Sequence, residues 1–216
     1  MAPPLDLAAG TAALGLSLDR GQIQRLEQYL TLLRKWNRAF NLVAPRSLHE
    51  AISVHLLDSL AVAPLLKAAR VLDIGSGAGL PGIPLAIALP NTQFVLLDSN
   101  GKKTRFLQQC VLELGLPNVE VVLDRVELYK PERHFDVLVT RAVATAAELI
   151  GLTTHLWASD TRMLLMKSRG VGEEVESLPA GYRGNIVPLA VPGLNATRVL
   201  FELIQHPGDL SAGTTG

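Results

Sequence analysis

Apolar residues recur at a helical period in the first third of this chain and at a strand period beyond it, with the change near Arg70. After a helix entry at Ser17-Leu-Asp-Arg20, the residues Ile23, Leu26, Tyr29, Leu30 and Leu33 fall on one helical face. They predict a helix to about Trp36, followed by an irregular stretch over 37–45. Ser47 opens a second predicted helix, with Ile52, Leu56, Leu57 and Leu60 as its apolar face and an end near Pro64. From Arg70 onward, apolar β-rich runs at 71–74, 94–98, 119–123, 135–140 and 162–167 alternate with helical stretches at about 80–88, 102–114 and 144–156. The punctuation Leu114-Gly-Leu-Pro-Asn118 stops one helix before the next strand. Two further β-rich runs, 186–191 and 198–204, flank Pro192-Gly-Leu-Asn195, a separation that suits a hairpin and is too short for a crossover helix.

Strand–helix alternation implies an α/β fold, a Rossmann-like, mostly parallel twisted sheet with helices on both faces and right-handed crossovers. The C-terminal hairpin is expected to close one edge antiparallel. The division expected from the pattern is a loose N-terminus over 1–16, a helical extension over 17–69 packed on the core, a sheet domain over 70–207, and a flexible tail over 208–216. The stretch from Gly170 to Gly181 carries no interpretable pattern.

Composition narrows the class. An apolar fraction of 48% supplies a core, so global disorder is excluded. Lys+Arg 20 against Asp+Glu 20 leaves no net charge, so any nucleic-acid contact must come from a local patch. The single cysteine, Cys110, excludes an internal disulfide and a multi-cysteine zinc site; it falls within a predicted helix and reads as buried. No metal ligand set is apparent. The start lacks a basic signal region and no apolar run reaches membrane-spanning length, so a cytoplasmic protein without membrane contact, and a monomer, is expected.

The chemistry concentrates in Val71-Leu-Asp-Ile-Gly75-Ser-Gly77-Ala-Gly79-Leu-Pro-Gly82, followed by a strand ending in Asp98. A strand, a glycine-rich turn, a helix start and a second strand tipped with a carboxylate build a nucleotide pocket at the carboxyl edge of a parallel sheet. The glycines satisfy two patterns: Gly77-x-Gly79-x-x-Gly82 matches the dinucleotide fingerprint, and Gly75-x-Gly77-x-Gly79 the shorter methyltransferase form. Asp73 and the prolines at 81 and 84 favour the second. A carboxylate beside the turn would repel a pyrophosphate but suits the sulfonium and amino group of S-adenosylmethionine. Asp98 is placed to accept from ribose hydroxyls. Asp124-Arg-Val126-Glu127, after the third strand, would lie beside the adenine, with a backbone amide of Val126 or Glu127 reading its edge; a solvated turn is the alternative. Arg141, after the fourth strand, would hold a phosphate, a carboxylate or a nucleobase, or form a plain surface salt bridge.

With those parts assembled, Gly75-Ser-Gly-Ala-Gly-Leu-Pro-Gly-Ile-Pro-Leu85 resembles the signature of the ribosomal RNA small subunit methyltransferase G family, also called glucose-inhibited division protein B. Trp36-Asn-Arg-Ala-Phe-Asn-Leu42, His55-Leu-Leu-Asp-Ser-Leu60, Leu97-Asp-Ser-Asn-Gly-Lys-Lys103, Arg105-Phe-Leu107 and Phe135-Asp136 through Thr140-Arg-Ala142 are similar to it too. Asn100 departs from the family pattern. The resemblance implies methylation of guanine N7 at one site in 16S ribosomal RNA, with S-adenosylmethionine as donor and the RNA or the small ribosomal subunit as partner. By matching positions, Gly75, Leu80, Val126, Glu127 and Arg141 would line the cofactor site. Asp73, Ser76, Gly77, Gly79 and Asp98 join them from the fold argument.

Guanine N7 carries an in-plane lone pair and no proton, so transfer to it needs alignment and water exclusion rather than a general base. The absence of an Asn-Pro-Pro-Tyr motif, and of a cysteine at a strand end, agrees with that chemistry. Arg141 is therefore assigned to orienting substrate or cofactor. Arg34, Lys35, Arg38 and Arg46, then Lys102, Lys103 and Arg105, and finally Lys167, are candidates to contact RNA phosphates, with solvated faces as the alternative. His55 and Asp58, three apart on one helix face, read as a structural hydrogen-bonded pair. The competing functions are a nucleotide-dependent oxidoreductase and a noncatalytic RNA-binding module that kept a methyltransferase fold.

Overall fold

The structure is a computed structural model that describes residues 6–141, 144–168 and 171–206, apart from the Arg46 side chain. Its centre is a seven-stranded sheet of order β3-β2-β1-β4-β5-β7-β6. The strands are β1 (Arg70–Ile74), β2 (Gln93–Asp98), β3 (Val119–Leu123), β4 (Val137–Arg141), β5 (Arg162–Lys167), β6 (Tyr182–Leu189) and β7 (Arg198–Gln205). The first five run parallel; β7 pairs antiparallel with β5 and with β6. The strand order reverses between β1 and β4, which opens a crevice at their carboxyl ends.

Alternate side chains of each strand enter opposite layers, as the pleat requires. Val71, Phe94, Leu96, Val137, Val139, Leu164 and Met166 face one apolar cluster, and Leu72, Val95, Leu97, Leu138, Met163 and Leu165 the other. The first cluster also holds helices α1 (Leu7–Ala13), α2 (Arg20–Phe40), α3 (Asp58–Leu60), α4 (Gly82–Ala88) and α5 (Gly101–Leu114). Helices α6 (Ala146–Thr153) and α7 (Val171–Glu176) cover the second. The N-terminal helices therefore share a core with the sheet: Leu26, Tyr29, Leu30 and Leu33 of α2 are buried in the cluster that holds Phe106 and Cys110 of α5.

Several elements differ from the sequence expectation, each for a local reason. Leu7–Ala13, expected to be loose, is helical because Asp6 caps it by accepting from the Ala9 amide at 3.1 Å and because Leu7, Gly10 and Thr11 are buried. Residues 1–5 and the tail from 207 lie outside the described residues. Helix α2 runs four residues past Trp36, to Phe40, and ends at Asn41, which takes the left-handed conformation at φ 48°. The predicted second helix is broken into a 3₁₀ turn (Pro45–Leu48), a π-helical segment (Ile52–Leu57), the short α3 and a 3₁₀ turn (Ala63–Leu65). Pro45 and Pro64 each stand in the first turn of a 3₁₀ piece, where a missing N–H is tolerated. Strand β6 begins four residues before the predicted run because Gly184 lets the backbone close on the Phe201 ring, with which its added Cβ would collide.

Candidate cofactor site

The loop after β1 is built by its glycines. Gly75, Gly77 and Gly79 have φ of 67°, 57° and 85°, a region L side chains rarely adopt. Its start is pinned to the neighbouring strand: the amides of Gly75 and Ser76 both donate to the Leu97 carbonyl, at 2.8 and 3.0 Å. The Ser76 hydroxyl donates to the Asp73 carbonyl at 2.9 Å, and the Ser76 carbonyl accepts from the Gly79 amide at 2.7 Å. From the N-terminal layer, the buried Tyr29 hydroxyl donates to the Ala78 carbonyl at 2.7 Å.

Two carboxylates brace the loop from opposite sides. Asp98, at the end of β2, accepts from the Gly77 amide at 2.9 Å through Oδ2 and from the Asn100 amide at 2.8 Å through Oδ1; Lys103 Nζ lies 3.8 Å from Oδ2. Asn100, the departure from the family pattern, caps α5 by accepting from the Lys102 amide at 2.9 Å. Asp73 lies beneath the loop, wholly buried, with Oδ2 accepting from the Gly82 amide at 3.0 Å and Oδ1 without a partner. Burial pushes its pKa up to about 7, against the opposing pull of the Gly82 amide.

Above the loop lies a hollow of about 370 Å³ lined by Ile74, Gly75, Leu97, Asp98, Ser99, Lys103, Asp124, Arg125, Val126, Glu127 and Leu152. The structure thus brings Gly75, Asp98, Val126 and Glu127 together, as the sequence suggested, and adds Leu152 from α6, an exposed apolar residue with no signal in its local pattern. Asp73, Ser76, Gly79 and Leu80 do not line it. They are the hidden supports of the loop: Leu80 is buried in the first apolar cluster, and a Cβ on Gly79 would come within 2.6 Å of Ile83. Gly77 stands between the two groups, its amide on Asp98 and an added Cβ meeting the Gly75 carbonyl at 3.7 Å and Lys103 Nζ at 4.0 Å, both at ordinary contact distance.

Arg141 sits elsewhere. With Val54, Asp58, Met166, Lys167, Ser168 and Arg198 it lines a second hollow of about 160 Å³ over the ends of β4 and β5. Asp58 binds two guanidiniums there, Arg198 Nε at 2.8 Å and Arg141 NH1 at 3.6 Å, and Arg141 NH1 also donates to the Val54 carbonyl at 3.3 Å. Burial raises the Asp58 pKa, with Arg198 and then Arg141 pulling it back. His55 and Asp58 are not bonded to each other: His55 Nε2 pairs with the Ser47 hydroxyl at 2.9 Å, and burial, with Arg141 nearby, lowers its pKa to about 4. Cys110 is buried in α5, and burial pushes its thiol pKa up. Among the described residues no group of three or more His, Cys, Asp or Glu side chains is placed to hold a metal.

The RNA candidates divide by pairing. Lys167 Nζ is committed to Glu174, at 2.5 and 2.7 Å, and to the Ala144 carbonyl at 3.0 Å; it is an internal tie between β5 and α7 rather than an open cation. Lys103 is turned to Asp98. Arg34, Lys35, Arg38, Lys102 and Arg105 are exposed and form no salt bridge among the described residues. The Arg46 side chain and Ala142 lie outside the described residues.

The fold and the sequence have counterparts in known proteins. Residues 22–200 match the family model described as rRNA small subunit methyltransferase G. The chain belongs to that family. It is 49% identical to the ribosomal RNA small subunit methyltransferase G of Chromobacterium violaceum, over 92% of this chain and 96% of the relative. It is 48% identical to the protein of the same name from Pseudomonas aeruginosa, over 92% and 94%. Among solved structures, the O-methyltransferase TomG of Streptomyces achromogenes aligns with TM-score 0.57 at 16% identity, covering 93% of this chain and 96% of that one. A SAM-dependent methyltransferase from Aquifex aeolicus aligns with TM-score 0.57 at 18% identity, covering 80% and 98%. At such identities the likeness speaks for the fold alone, which is the Rossmann-like methyltransferase fold with the antiparallel C-terminal pair expected from the pattern.

Proposed function

We propose that this chain transfers a methyl group from S-adenosylmethionine to guanine N7 at one site in 16S ribosomal RNA, meeting its substrate in the cytoplasm. The observation that carries the reading is the glycine loop at the strand-order reversal, with the Asp98 carboxylate at its lip and a hollow of about 370 Å³ above it. A volume in this range suits a small cofactor. The family of rRNA small subunit methyltransferases supplies the substrate class.

The residues fit the cofactor. A Cβ at Gly77 would meet only the Gly75 carbonyl at 3.7 Å and Lys103 Nζ at 4.0 Å, so the turn beside Asp98 is bare of side chains. Asp98 uses one lone pair of each oxygen on Gly77 and Asn100 and keeps others for ribose hydroxyls. Val126 and its neighbours offer backbone amides to an adenine edge, and Leu152 an apolar cover. When bound, S-adenosylmethionine supplies the electrophilic methyl group. The chain itself aligns the acceptor and excludes water, because N7 has no proton to lose. The two guanidiniums on one carboxylate leave the Asp58 cluster with excess positive charge, which suits a phosphate of the RNA or a carboxylate of the cofactor. Arg141 is the residue of that cluster assigned to orientation.

The test maps N7-methylguanosine by mass analysis in 16S ribosomal RNA from cells with and without this gene, alongside calorimetric titration with S-adenosylhomocysteine. A mark that disappears with the gene, and binding of the homocysteine product, are expected. An unchanged RNA refutes the reading.

A further inference from the structure

The outer face of α2 carries two arginines that the fold leaves unneutralised. Arg34 and Arg38 are one helical turn apart and exposed. Their helical neighbours at three and four residues are Leu30, Thr31, Asn37 and Arg38 for the first, and Arg34, Lys35, Asn41 and Leu42 for the second, with no acid among them. Two like charges at that spacing weaken the helix that carries them. Neither forms a salt bridge among the described residues, whereas Arg125, Arg141, Arg162, Lys167 and Arg198 all do.

Both arginines open onto a groove of about 490 Å³ between the end of α2 and the 3₁₀ turn at Pro45–Leu48, whose other lining residues are Asn37, Asn41, Pro45, Leu48 and His49. The lining contains no carboxylate. Asn37 spends its Oδ1 on the Val43 amide at 2.8 Å, which leaves its NH₂ as a donor. Cations and amide donors over a floor of Pro45 and Leu48 form a surface for an anionic backbone whose sugars also need apolar contact. The turn that floors the groove is tied to the Arg141 cluster: Ser47 pairs with His55, and Asp58, three residues on, holds Arg141. Asp58 lies nine residues beyond His49, past the π-helical segment Ile52–Leu57.

We infer that this groove docks the phosphodiester backbone of the ribosomal RNA, a few nucleotides from the methylated base, with Arg34 and Arg38 on phosphates. The inference rests on the methyltransferase reading above. Full-length wild type is compared with Arg34→Ala/Arg38→Ala, with the conservative Arg34→Lys/Arg38→Lys, and with Arg25→Ala as a control on the opposite side of α2. Each is assayed for binding of 16S ribosomal RNA, free and in small subunits, over 0.05 to 0.2 M salt, for methylation, and for S-adenosylhomocysteine affinity.

Each phosphate contact contributes roughly 0.7 to the slope of log affinity against log salt. The double alanine variant is therefore expected to lower that slope by about 1.4 and to weaken RNA binding by roughly tenfold or more. The KM for RNA rises in step, cofactor affinity stays at the wild-type value, and the melting temperature does not fall, since a like-charge pair has been removed from the helix. The lysine pair restores most of the slope, and Arg25→Ala changes none of these. An RNA affinity and slope equal to wild type in the double variant overturn the groove while leaving the methyltransferase reading intact. A wild type that binds cofactor but methylates no small-subunit RNA overturns both.

Discussion

Replacing Asp73 by Asn tests whether the acid before the glycine loop is a charged ligand for the cofactor or a protonated support beneath it. In the structure the carboxyl is wholly buried, has one hydrogen-bond partner, the Gly82 amide, and is not among the groups that line the hollow. Its pKa is raised from 3.8 to about 7. For an acid with a raised folded-state pKa, the folded protein binds the proton more tightly than the unfolded chain. Stability is then full below the unfolded value and falls as pH rises toward the folded one. A shift of this size corresponds to about 4 kcal/mol of lost stability across the whole window, at 1.36 kcal/mol per pH unit. Between pH 5 and pH 8 the loss is about 2–3 kcal/mol. Asn keeps an acceptor for Gly82 and cannot ionise, so the variant lacks this dependence.

The assay is chemical denaturation of wild type and Asp73→Asn at pH 5 and pH 8, with the difference between the two proteins compared across the two conditions so that other titrating groups cancel. Relative to wild type, the variant is expected to gain about 2–3 kcal/mol on going from pH 5 to pH 8. Its affinity for S-adenosylhomocysteine at pH 5, where both forms are neutral, is expected to match wild type. A stability difference that stays constant with pH, together with a loss of cofactor affinity at both pH values, refutes the reasoning and returns Asp73 to the role of a charged ligand.

Other perturbations probe the remaining supports. Gly77→Ala forces a side chain into the left-handed region and into the cradle beside Lys103; calorimetry is expected to show cofactor affinity reduced about tenfold or more, at a stability cost of roughly 1–2 kcal/mol. Tyr29→Phe removes the donor to the buried Ala78 carbonyl; urea unfolding is expected to register a loss of about 1–2 kcal/mol and a weaker cofactor complex, whereas unchanged values would detach α2 from the loop. Arg198→Ala leaves Asp58 buried with only the longer Arg141 contact; a loss of about 3 kcal/mol is expected in denaturation, most of it recovered in the double variant with Asp58→Asn.

What the chain disclosed beforehand followed from local rules. The five parallel strands were readable because buried β-rich runs alternate with helical ones, and the antiparallel pair because Pro192 to Asn195 leaves no room for a crossover. The lip of the hollow was readable because glycines after one strand and an acid after the next have fixed places in such a sheet. The direction of the Asp73 carboxyl was not. In a strand its side chain must follow the pleat into the same layer as Val71, beneath the loop, while the electrostatic argument for a sulfonium ligand had it facing the cofactor. Asp98 now carries that part of the argument, since it is the acid that lines the hollow.

Long-range pairing was equally hidden. Asp58 and Arg198 are 140 residues apart and meet only because β7 inserts next to β5, an ordering that no local pattern encodes. Lys167 is a similar case: a lysine at the end of β5 looks free in the local pattern, and only the fold brings Glu174 of α7 to it. Pairing distinguishes the cations of this chain. Arg162, Lys167 and Arg198, at the β5–β7 edge, are spent on carboxylates, and their loss should cost stability. Arg34 and Arg38 on the α2 face form no salt bridge within the described residues, and their loss should cost binding. In a chain with no net charge, an unneutralised pair opening onto a groove without carboxylates marks where a negative partner is expected.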